Sequence, residues 1–217
     1  MTPLEEVLRG MDDLVRQGKV CYVAFSDTPA YIVSEAVAMA KLRGWTVPLG
    51  IQAPYNLLRR DLEREIIPMA HHHDLAVLPW GLLASGVLTG KFRGPQGASH
   101  KGTRVNPEKL KLDERSDAIL DAVLDVAHTS GHSAAQVAIN WIRQQPRAQI
   151  IPIIGARSLK QLDDQMGCLQ WKLSDDDFGR IDEASKPDLG FPHDFLPGNP
   201  LLFGNSYPHI DDHRGES

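Results

Sequence analysis

Four short apolar stretches of the sequence each end next to a side chain that could bind a small molecule. We predict buried β-strands at residues 20–26, 47–53, 75–80 and 149–155. At or just beyond their carboxyl ends stand a hydroxyl, an amide, an indole and a guanidinium, from Ser26, Gln52, Trp80 and Arg157. Parallel strands bring their carboxyl ends to one edge of a sheet, where α/β proteins bind their ligands. We therefore expect these four side chains to share one site.

The four side chains suit the parts of a nicotinamide dinucleotide. The Gln52 amide could hold a carboxamide, and the Trp80 indole could stack on a planar ring. Arg157 precedes a predicted helix that begins near Ser158, and a guanidinium beside a helix start favours phosphate. The alternative is that each of these is an ordinary strand-end residue, which is the better explanation for most of them taken singly. Four strand ends together favour the dinucleotide.

Helical periodicity between the strands indicates an α/β fold. The first helix has Thr2 as its predicted N-cap and Gly18 as its predicted end. Further helices are predicted at residues 30–43, 59–71, 115–130 and 133–145, from 158 onward, and at 175–185. Their predicted caps include Ser133 and Ser174. Strands that alternate with helices of this length predict a parallel sheet with right-handed crossovers.

Three motifs that suggest other chemistry are rejected on their spacing. The segment GVLTGKF at 86–92 has three residues between its glycines instead of four, so it is not a nucleoside-triphosphate loop. The three histidines at 71–73 are adjacent on a predicted helix and point about 100° apart, so we expect no metal site. Ser26 lacks the G-x-S-x-G context of a hydrolase nucleophile.

Length and charge bound the class of protein. A chain of 217 residues can form one domain with a sizeable core. The net charge of -5 argues against a nucleic-acid partner, and no apolar run approaches the roughly 20 residues of a membrane span. Cys21 and Cys168 lie in apolar surroundings without metal spacing, which predicts reduced core thiols. Because Met1 leads directly into an amphipathic helix, we expect a soluble, cytoplasmic protein.

Two segments are predicted to be irregular. Residues 92–107 are rich in glycine and follow the third strand, and a loop of this length is usually functional or mobile. Residues 187–217 contain five prolines, which predicts an irregular C-terminal tail. We therefore divide the chain into a main unit, 1–186, and a tail, 187–217.

Longer stretches of the sequence resemble the aldo/keto reductase family. The matching segments, in order to about residue 186, are LVRQGKVCYVAFSD, IQAPYNLLRRDLEREIIPMAHHHDLAVLPWGLLASGVLTGKF and IIPIIGARSLKQLDDQMGCLQWKLSDDDFGRID. Proteins of that family are eight-stranded β/α barrels that reduce aldehydes and ketones with NADPH. The resemblance implies a partial (β/α)8 TIM barrel with about four parallel strands, NADP(H) as cofactor and a small carbonyl compound as substrate.

The resemblance also implies which residues contact the cofactor. The nicotinamide carboxamide would be held by Ser26 and Gln52, and the nicotinamide ring would stack on Trp80. Leu83, Ser85 and Lys91 would lie along the pyrophosphate, and Arg104 would cover it. The adenosine 2′-phosphate end would contact Gly155, Arg157 and Gln161. The adenine would lie against Asp164 and Gln165, which stand where the family carries Glu and Asn. Beside Ser26, Asp27 replaces the family's usual Asn or Arg.

In the family, the first helix of this sequence follows the fourth strand. The resemblance therefore implies that the family's catalytic Asp, Tyr, Lys and His lie outside this chain, and it gives no catalytic role to Tyr22, Tyr31, Tyr55 or Tyr207. We expect an NADP(H)-dependent oxidoreductase of aldehydes or ketones in a truncated form that is inactive alone. The alternative is a non-catalytic nucleotide-binding or protein-interaction subunit that uses the half-barrel.

Half of a barrel would have two unpaired sheet edges, whereas a closed barrel has none. If about eight apolar side chains stayed half-exposed at ~1 kcal/mol each, the cost would be ~8 kcal/mol, which is comparable with the whole stability of a domain. We therefore expect the chain to pair with a second copy of itself, to pair with a missing half-barrel, or to fold loosely and aggregate.

Overall fold

The computed structural model describes residues 2–93, 112–196 and 200–209, and its strands and helices alternate along the chain. In order they are α1 (Leu4–Arg16), β1 (Phe25–Ser26), α2 (Ala30–Arg43), β2 (Gly50–Pro54), α3 (Ile66–His73), β3 (Ala76–Trp80), α4 (Glu114–Ser130), α5 (Ala134–Arg143), β4 (Gln149–Ile150), α6 (Leu159–Met166), α7 (Asp175–Ser185) and α8 (Pro200–Phe203). Short 3₁₀ turns are present at Asp61–Glu63, Ala84–Thr89, Gly167–Gln170 and Gly204–His209.

The four strands form one parallel sheet in the order β1-β2-β3-β4. This arrangement confirms the predicted α/β class and is consistent with part of a (β/α)8 barrel. The outer strands are shorter than the predicted ranges 20–26 and 149–155, but their backbone pairing continues beyond them. The Leu49 N–H donates to the Val23 carbonyl at 2.9 Å, and the Ile153 N–H donates to the Pro79 carbonyl at 2.8 Å.

Serine caps begin three of the helices where the sequence predicts them. The hydroxyls of Ser133, Ser158 and Ser174 each accept a hydrogen bond from a backbone N–H three residues later. The predicted cap at Thr2 is wrong, because α1 begins after Pro3, which has no capping side chain. The helix predicted from residue 59 begins at Ile66 instead, because Pro68 lacks the N–H that would bond to residue 64 and crowds that carbonyl.

Within residues 2–93 and 112–186, the helices pack against one face of the sheet. Ile51, Ala53 and Val77 point to the covered face and are at most 1% exposed. The intervening residues of β2 and β3 point to the opposite face, which we call the open face, and they are half-buried or exposed apart from Gly50. By the same register Ile151 and Ile153, next to β3, lie on the open face and are 49% and 37% exposed. The core is therefore the layer between the covered face and the helices, with Trp141 and Tyr55 at its centre.

A buried ion network, which we call the Arg60 network, joins the segment after β2 to α7. The Arg60 guanidinium donates to both carboxylate oxygens of Glu63, at 2.6 and 2.9 Å, and lies 2.9 Å from the Asp182 carboxylate. It also lies 4.8 Å from the centre of the Trp141 ring. Burial alone would lower the pKa of Arg60, but the bonds and charge of Glu63 and Asp182 outweigh it and raise that pKa. The network therefore keeps its charge inside the core.

Two further expectations differ from the structure. Cys21 is exposed instead of buried, because it precedes the edge strand β1, which no other strand covers on its outer side within the described residues. Cys168 is buried as predicted, and burial raises the pKa of its thiol. The tail contains the short helix α8 and a 3₁₀ turn, although we predict irregular structure throughout it.

The chain divides into two compact units, Met1–Lys186 and Pro187–Ser217. In the second unit, the rings of Phe191 and Phe195 lie 5.9 Å apart. Among the residues that the structure describes, no helix is both long enough and apolar enough to cross a membrane.

Candidate functional site

The carboxyl ends of β1, β2 and β3 bring three of the predicted site residues to the open face. Ser26 is paired in register with Gln52, and Pro54 with Trp80, so Ser26, Gln52 and Trp80 all point to the same side of the sheet. The Ser26 hydroxyl donates to Gln52 Oε1 at 3.0 Å. The Trp80 indole is 39% exposed, so its ring is accessible. A hydroxyl, an amide and an accessible aromatic ring thus form one group, which we call the Ser26 cluster.

Asp27 connects Trp80 to the rest of the Ser26 cluster. Its Oδ1 atom accepts a hydrogen bond from the indole Nε1 of Trp80 at 3.3 Å, and its Oδ2 atom lies 3.4 Å from the Ser26 hydroxyl, whose one proton is shared between Asp27 and Gln52. Its backbone N–H donates to the Gln52 carbonyl at 2.9 Å, which continues the pairing of β1 with β2. Asp27 has a φ of +49°, in the left-handed region that Asp and Asn tolerate better than most residues.

The segment after β2 holds the backbone at Trp80. The Tyr55 N–H donates to the Trp80 carbonyl at 3.2 Å, and the Asn56 side-chain amide donates to the Gly81 carbonyl at 2.9 Å. Asn56 is 6% exposed, and its Oδ1 atom accepts from the Leu58 N–H at 2.9 Å, so both ends of its amide are used. Sequence analysis missed this role, although an Asn directly after a strand is a signal for this kind of local turn.

The loop after β3 has an unusual backbone. Ala84, Ser85 and Gly86 are consecutive residues with positive φ, at 47°, 57° and 97°. Leu83 anchors this turn, because its carbonyl accepts the N–H groups of Gly86 and Leu88 at 2.8 and 3.3 Å. Left-handed backbone costs a non-glycine residue about 1 kcal/mol, so the surrounding structure holds Ala84 and Ser85 in it. Ser85 is exposed at this turn.

Lys91 lies across the same turn. A Cβ atom at Gly86 would be 2.5 Å from both Cε and Nζ of Lys91, so the lysine side chain occupies the space that any residue other than glycine would fill. The Lys91 ammonium also lies 4.8 Å from the centre of the Phe92 ring. The turn therefore presents a cation and a serine hydroxyl, which suits a phosphate group. Arg104, the other residue predicted here, lies outside the described residues.

Beyond β4, the predicted residues form a second group at the start of α6. Gln161 Oε1 accepts the Arg157 N–H at 2.8 Å, and the Ser158 hydroxyl accepts the Gln161 N–H at 3.3 Å. Gly155 and Arg157 are exposed. Because Ile153 is hydrogen-bonded to Pro79, the chain leaves the sheet beside Trp80, on the edge where the Ser26 cluster lies.

The two residues predicted to contact adenine make hydrogen bonds within the protein. The Asp164 carboxylate accepts from Ser133 at 3.0 Å and from Gln136 at 3.3 Å, both at the beginning of α5. Gln165 is 5% exposed and donates to the Gly155 carbonyl at 3.0 Å. Both residues thus fix the position of the Gly155–Arg157 segment relative to α5 and α6. Their contact with adenine stays a prediction.

The histidine segment packs as part of α3. His73 Nε2 lies 2.8 Å from the Ser34 hydroxyl on α2. The described residues contain no group of three or more His, Cys, Asp or Glu side chains placed to hold a metal ion.

The residues at this edge fit a nicotinamide dinucleotide. The half-exposed Trp80 indole, with its N–H directed at Asp27, offers one face for a planar ring, and the Gln52 amide lies beside it. Lys91 at the Ser85–Gly86 turn and Arg157 at the start of α6 supply positive charge where two separate phosphate groups could bind. The residue types present thus suit a planar ring and two phosphate groups.

The sequence of the chain is similar to those of several curated proteins. A probable aryl-alcohol dehydrogenase of Saccharomyces cerevisiae is 33% identical over 205 residues, which cover 93% of this chain and 62% of the relative. Norsolorinic acid reductase of Aspergillus flavus is 33% identical over 195 residues, which cover 90% of this chain and 48% of the relative. An aryl-alcohol dehydrogenase of Pestalotiopsis microspora is 34% identical over 204 residues, which cover 94% and 51%.

The chain thus spans about half to two thirds of the length of these curated relatives. The family model for the aldo/keto reductases matches residues 1–186, which include the whole four-stranded sheet and all the residues of the site. The chain therefore belongs to the aldo/keto reductase family.

Proposed function

We propose that this chain is the cofactor-binding part of an NADP(H)-dependent oxidoreductase that acts on aldehydes or ketones. The observation that carries the proposal is the Ser26 cluster, in which a hydroxyl, an amide and a half-exposed indole lie together on the open face. NADPH, when bound, supplies the hydride that reduces a carbonyl group. The names of the relatives, aryl-alcohol dehydrogenases and norsolorinic acid reductases, make aryl alcohols and their aldehydes the first substrates to test.

Each residue of the site has a defined task in this proposal. Ser26 and Gln52 hold the carboxamide and so fix which face of the nicotinamide ring points away from the sheet. The nicotinamide ring stacks on Trp80, and Asn56 positions Trp80 through its hydrogen bond to the Gly81 carbonyl. Lys91 and Ser85 bind the pyrophosphate at the left-handed turn. Arg157, together with the start of α6, binds the 2′-phosphate and favours NADPH over NADH.

Carbonyl reduction also needs a proton for the developing alkoxide, and we propose that this chain alone does not provide it. Tyr55 is fully buried, and its hydroxyl donates to Glu63 at 2.7 Å. Burial, reinforced by the charge of Glu63, raises the pKa of Tyr55, which makes it a poorer acid. Tyr22 and Tyr31 are 75% and 72% exposed, so solvent surrounds them. We therefore expect NADPH binding without turnover, which distinguishes this chain from a complete reductase.

A non-catalytic interaction subunit is the alternative, but the comparisons do not favour it, because the relatives are named as dehydrogenases and reductases. We nevertheless propose that the open face binds a partner. Ile151 and Ile153 expose apolar side chains there, and the outer edges of β1 and β4 have no strand partner within the part of the chain that the structure describes. A second copy of the chain, or a separate half-barrel, would cover both.

Calorimetric titration of the full chain tests cofactor binding. We expect NADPH to bind, and we expect Trp80→Ala to weaken binding roughly tenfold because it removes the stacking surface. Trp45→Ala is the matched control, since Trp45 precedes β2 and so lies at the opposite edge of the sheet. If wild-type protein did not bind NADPH, or if both variants weakened binding equally, the proposed site would be wrong.

Two further measurements test the remaining parts of the proposal. Incubation of the chain with NADPH and an aryl aldehyde should give no oxidation of NADPH above background. Turnover at the rate of an active reductase would contradict the proposal that this chain alone does not provide the proton. Sedimentation should detect species larger than the 24.0 kDa monomer. A single sharp monomer boundary with a cooperative thermal transition would contradict the need for a partner.

A further inference from the structure

Asp27 places a carboxylate inside the Ser26 cluster. One of its oxygens accepts the Trp80 indole N–H at 3.3 Å, and the other lies 3.4 Å from the Ser26 hydroxyl, which shares its proton with Gln52. Both donors are neutral groups. The cluster therefore holds an anion whose charge is not balanced by the bonds that fix its position. Asp27 is also exposed, on the side of the sheet where Trp80 presents its ring.

The hydrogen bonds of Asp27 do not themselves require a charge. An Asn at the same position could accept the indole N–H through its Oδ1 atom, and Asn tolerates the φ of +49° at least as well as Asp. The negative charge is therefore a property of this site beyond its geometry. Its effect should depend on the charge of whatever lies against Trp80.

The two redox forms of a nicotinamide cofactor differ in charge at the ring. The oxidised ring is a pyridinium cation, whereas the reduced dihydropyridine ring is neutral. A ring stacked on the Trp80 indole lies within a few ångströms of the carboxylate that accepts the indole N–H. We propose that Asp27 makes the site prefer the oxidised dinucleotide, NADP⁺, over NADPH. This inference rests on the proposed function, because it assumes that the ring stacks on Trp80.

The size of the preference for NADP⁺ depends on the distance between the Asp27 carboxylate and the nicotinamide ring and on the exposure of the site to solvent. Two unit charges about 5 Å apart in water-like surroundings attract each other by ~1 kcal/mol, which corresponds to about a fivefold change in affinity. The effect should be screened by salt, because Asp27 is exposed. Loss of Asp27's charge should therefore weaken NADP⁺ binding about fivefold and change NADPH binding little.

The experiment compares dissociation constants of NADP⁺ and NADPH for wild-type protein and for Asp27→Asn, measured by calorimetry on the full chain at low and high NaCl. We expect the ratio of the two constants to shift about fivefold toward NADPH in the variant at low salt, and the shift to shrink at high salt. Asp74→Asn is the matched control, because Asp74 also has a positive φ, of 57°, but lies at the opposite end of β3.

The outcomes separate the inference from the proposed function. If wild-type protein bound neither dinucleotide, both would be overturned. If both dinucleotides bound and Asp27→Asn weakened them equally, Asp27 would only position Trp80 and the inference alone would be overturned. A shift of equal size in Asp74→Asn would also overturn it, since the effect would then reflect net charge. A ratio that shifts only in Asp27→Asn, and less so at high salt, supports it.

Discussion

The Arg60 network and the Ser26 cluster are built from similar polar contacts but differ in burial. The Arg60 side chain is 5% exposed, and its hydrogen bonds of 2.6–2.9 Å join segments that are far apart in the sequence. In the Ser26 cluster, Trp80 is 39% exposed, and the contacts of Asp27 with Trp80 and with Ser26 are longer, at 3.3 and 3.4 Å. Buried polar groups must be satisfied by the protein itself, whereas half-exposed ones can exchange water for a ligand. We therefore expect the Arg60 network to contribute stability, and we propose that the Ser26 cluster binds a ligand.

The largest expected effect is the loss of the Arg60 network. Arg60→Met should lower the free energy of unfolding by about 3–5 kcal/mol, because it leaves Glu63 buried without its cation. The control is Arg93→Met. Arg93 also pairs with two carboxylates, those of Asp117 and Asp121, but it is 35% exposed, so its loss should cost at most about 1 kcal/mol. Urea denaturation measures both. Equal losses would mean that burial does not separate the two kinds of network.

Asn56 lies between the two regions and should affect both stability and binding. Asn56→Ala leaves the Gly81 carbonyl and the Leu58 N–H without their partner, so we expect a loss of about 1–3 kcal/mol in unfolding free energy and weaker NADPH binding. Asn140→Ala is the control, because Asn140 is also a buried amide but bonds to Arg143 and to Trp171. That variant should lose stability and retain NADPH affinity. If binding weakened in both, Asn56 would have no specific part in positioning Trp80.

Arg157 should affect binding more than stability. It is exposed at the start of α6, so Arg157→Ala should change the free energy of unfolding by less than about 1 kcal/mol. We expect it to weaken NADPH binding about tenfold, because a charge-assisted contact to the 2′-phosphate is lost, and to leave NADH binding unchanged. Lys160→Ala removes a nearby exposed cation and serves as the control. Equal weakening of NADPH and NADH would show that Arg157 does not recognise the 2′-phosphate.

The smallest effect concerns a second buried carboxylate, Asp12 on α1, and it depends on pH. Burial alone would raise the pKa of Asp12, but hydrogen bonds from the Thr46 N–H and hydroxyl and from Arg16 lower it below 3.8. The stability that Asp12 contributes is therefore present above pH 3.8 and lost as the pH falls through the lowered value.

The free energy of unfolding of Asp12→Asn, measured across this pH range, tests that dependence. The deficit relative to wild type should be largest near neutral pH and should shrink on acidification. Asp13→Asn is the control, because the Asp13 carboxylate is 53% exposed and lies 4.0 Å from Arg9. A deficit for Asp12→Asn that did not change with pH would contradict the lowered pKa.

Local signals in the sequence predicted much of the fold. Ser133 and Ser174 were confirmed as caps, and Ser158 caps the helix that was predicted to begin there, because a cap depends only on a hydroxyl and the backbone three residues later. The parallel sheet followed from apolar runs that alternate with helices. The start of α3 was predicted too early, since the periodic pattern there continues upstream of the point at which Pro68 forces the helix to begin.

Contacts between distant segments could not be predicted in the same way. Arg60 donates to the Asp182 carbonyl, 122 residues away, and no local pattern marks that pair. The residues of the Ser26 cluster were named in advance because parallel strands align their ends. The contacts of Asp27 with the Ser26 hydroxyl and the Trp80 indole could be recognised only from the structure. Asn56 was missed as a positioning residue for the same reason, because its bond to Gly81 crosses between two strands.

The left-handed backbone of the loop after β3 restricts which mutations this loop can accept. Gly86 has a φ of 97°, which strains any residue with a side chain, and the end of the Lys91 side chain would have to move to make room for a methyl group. Ser85 is exposed at φ 57°, so Gly, Asn and Asp could replace it. In a library of variants selected only for stable folding, position 86 should therefore remain glycine, while position 85 should vary within this small set of residues.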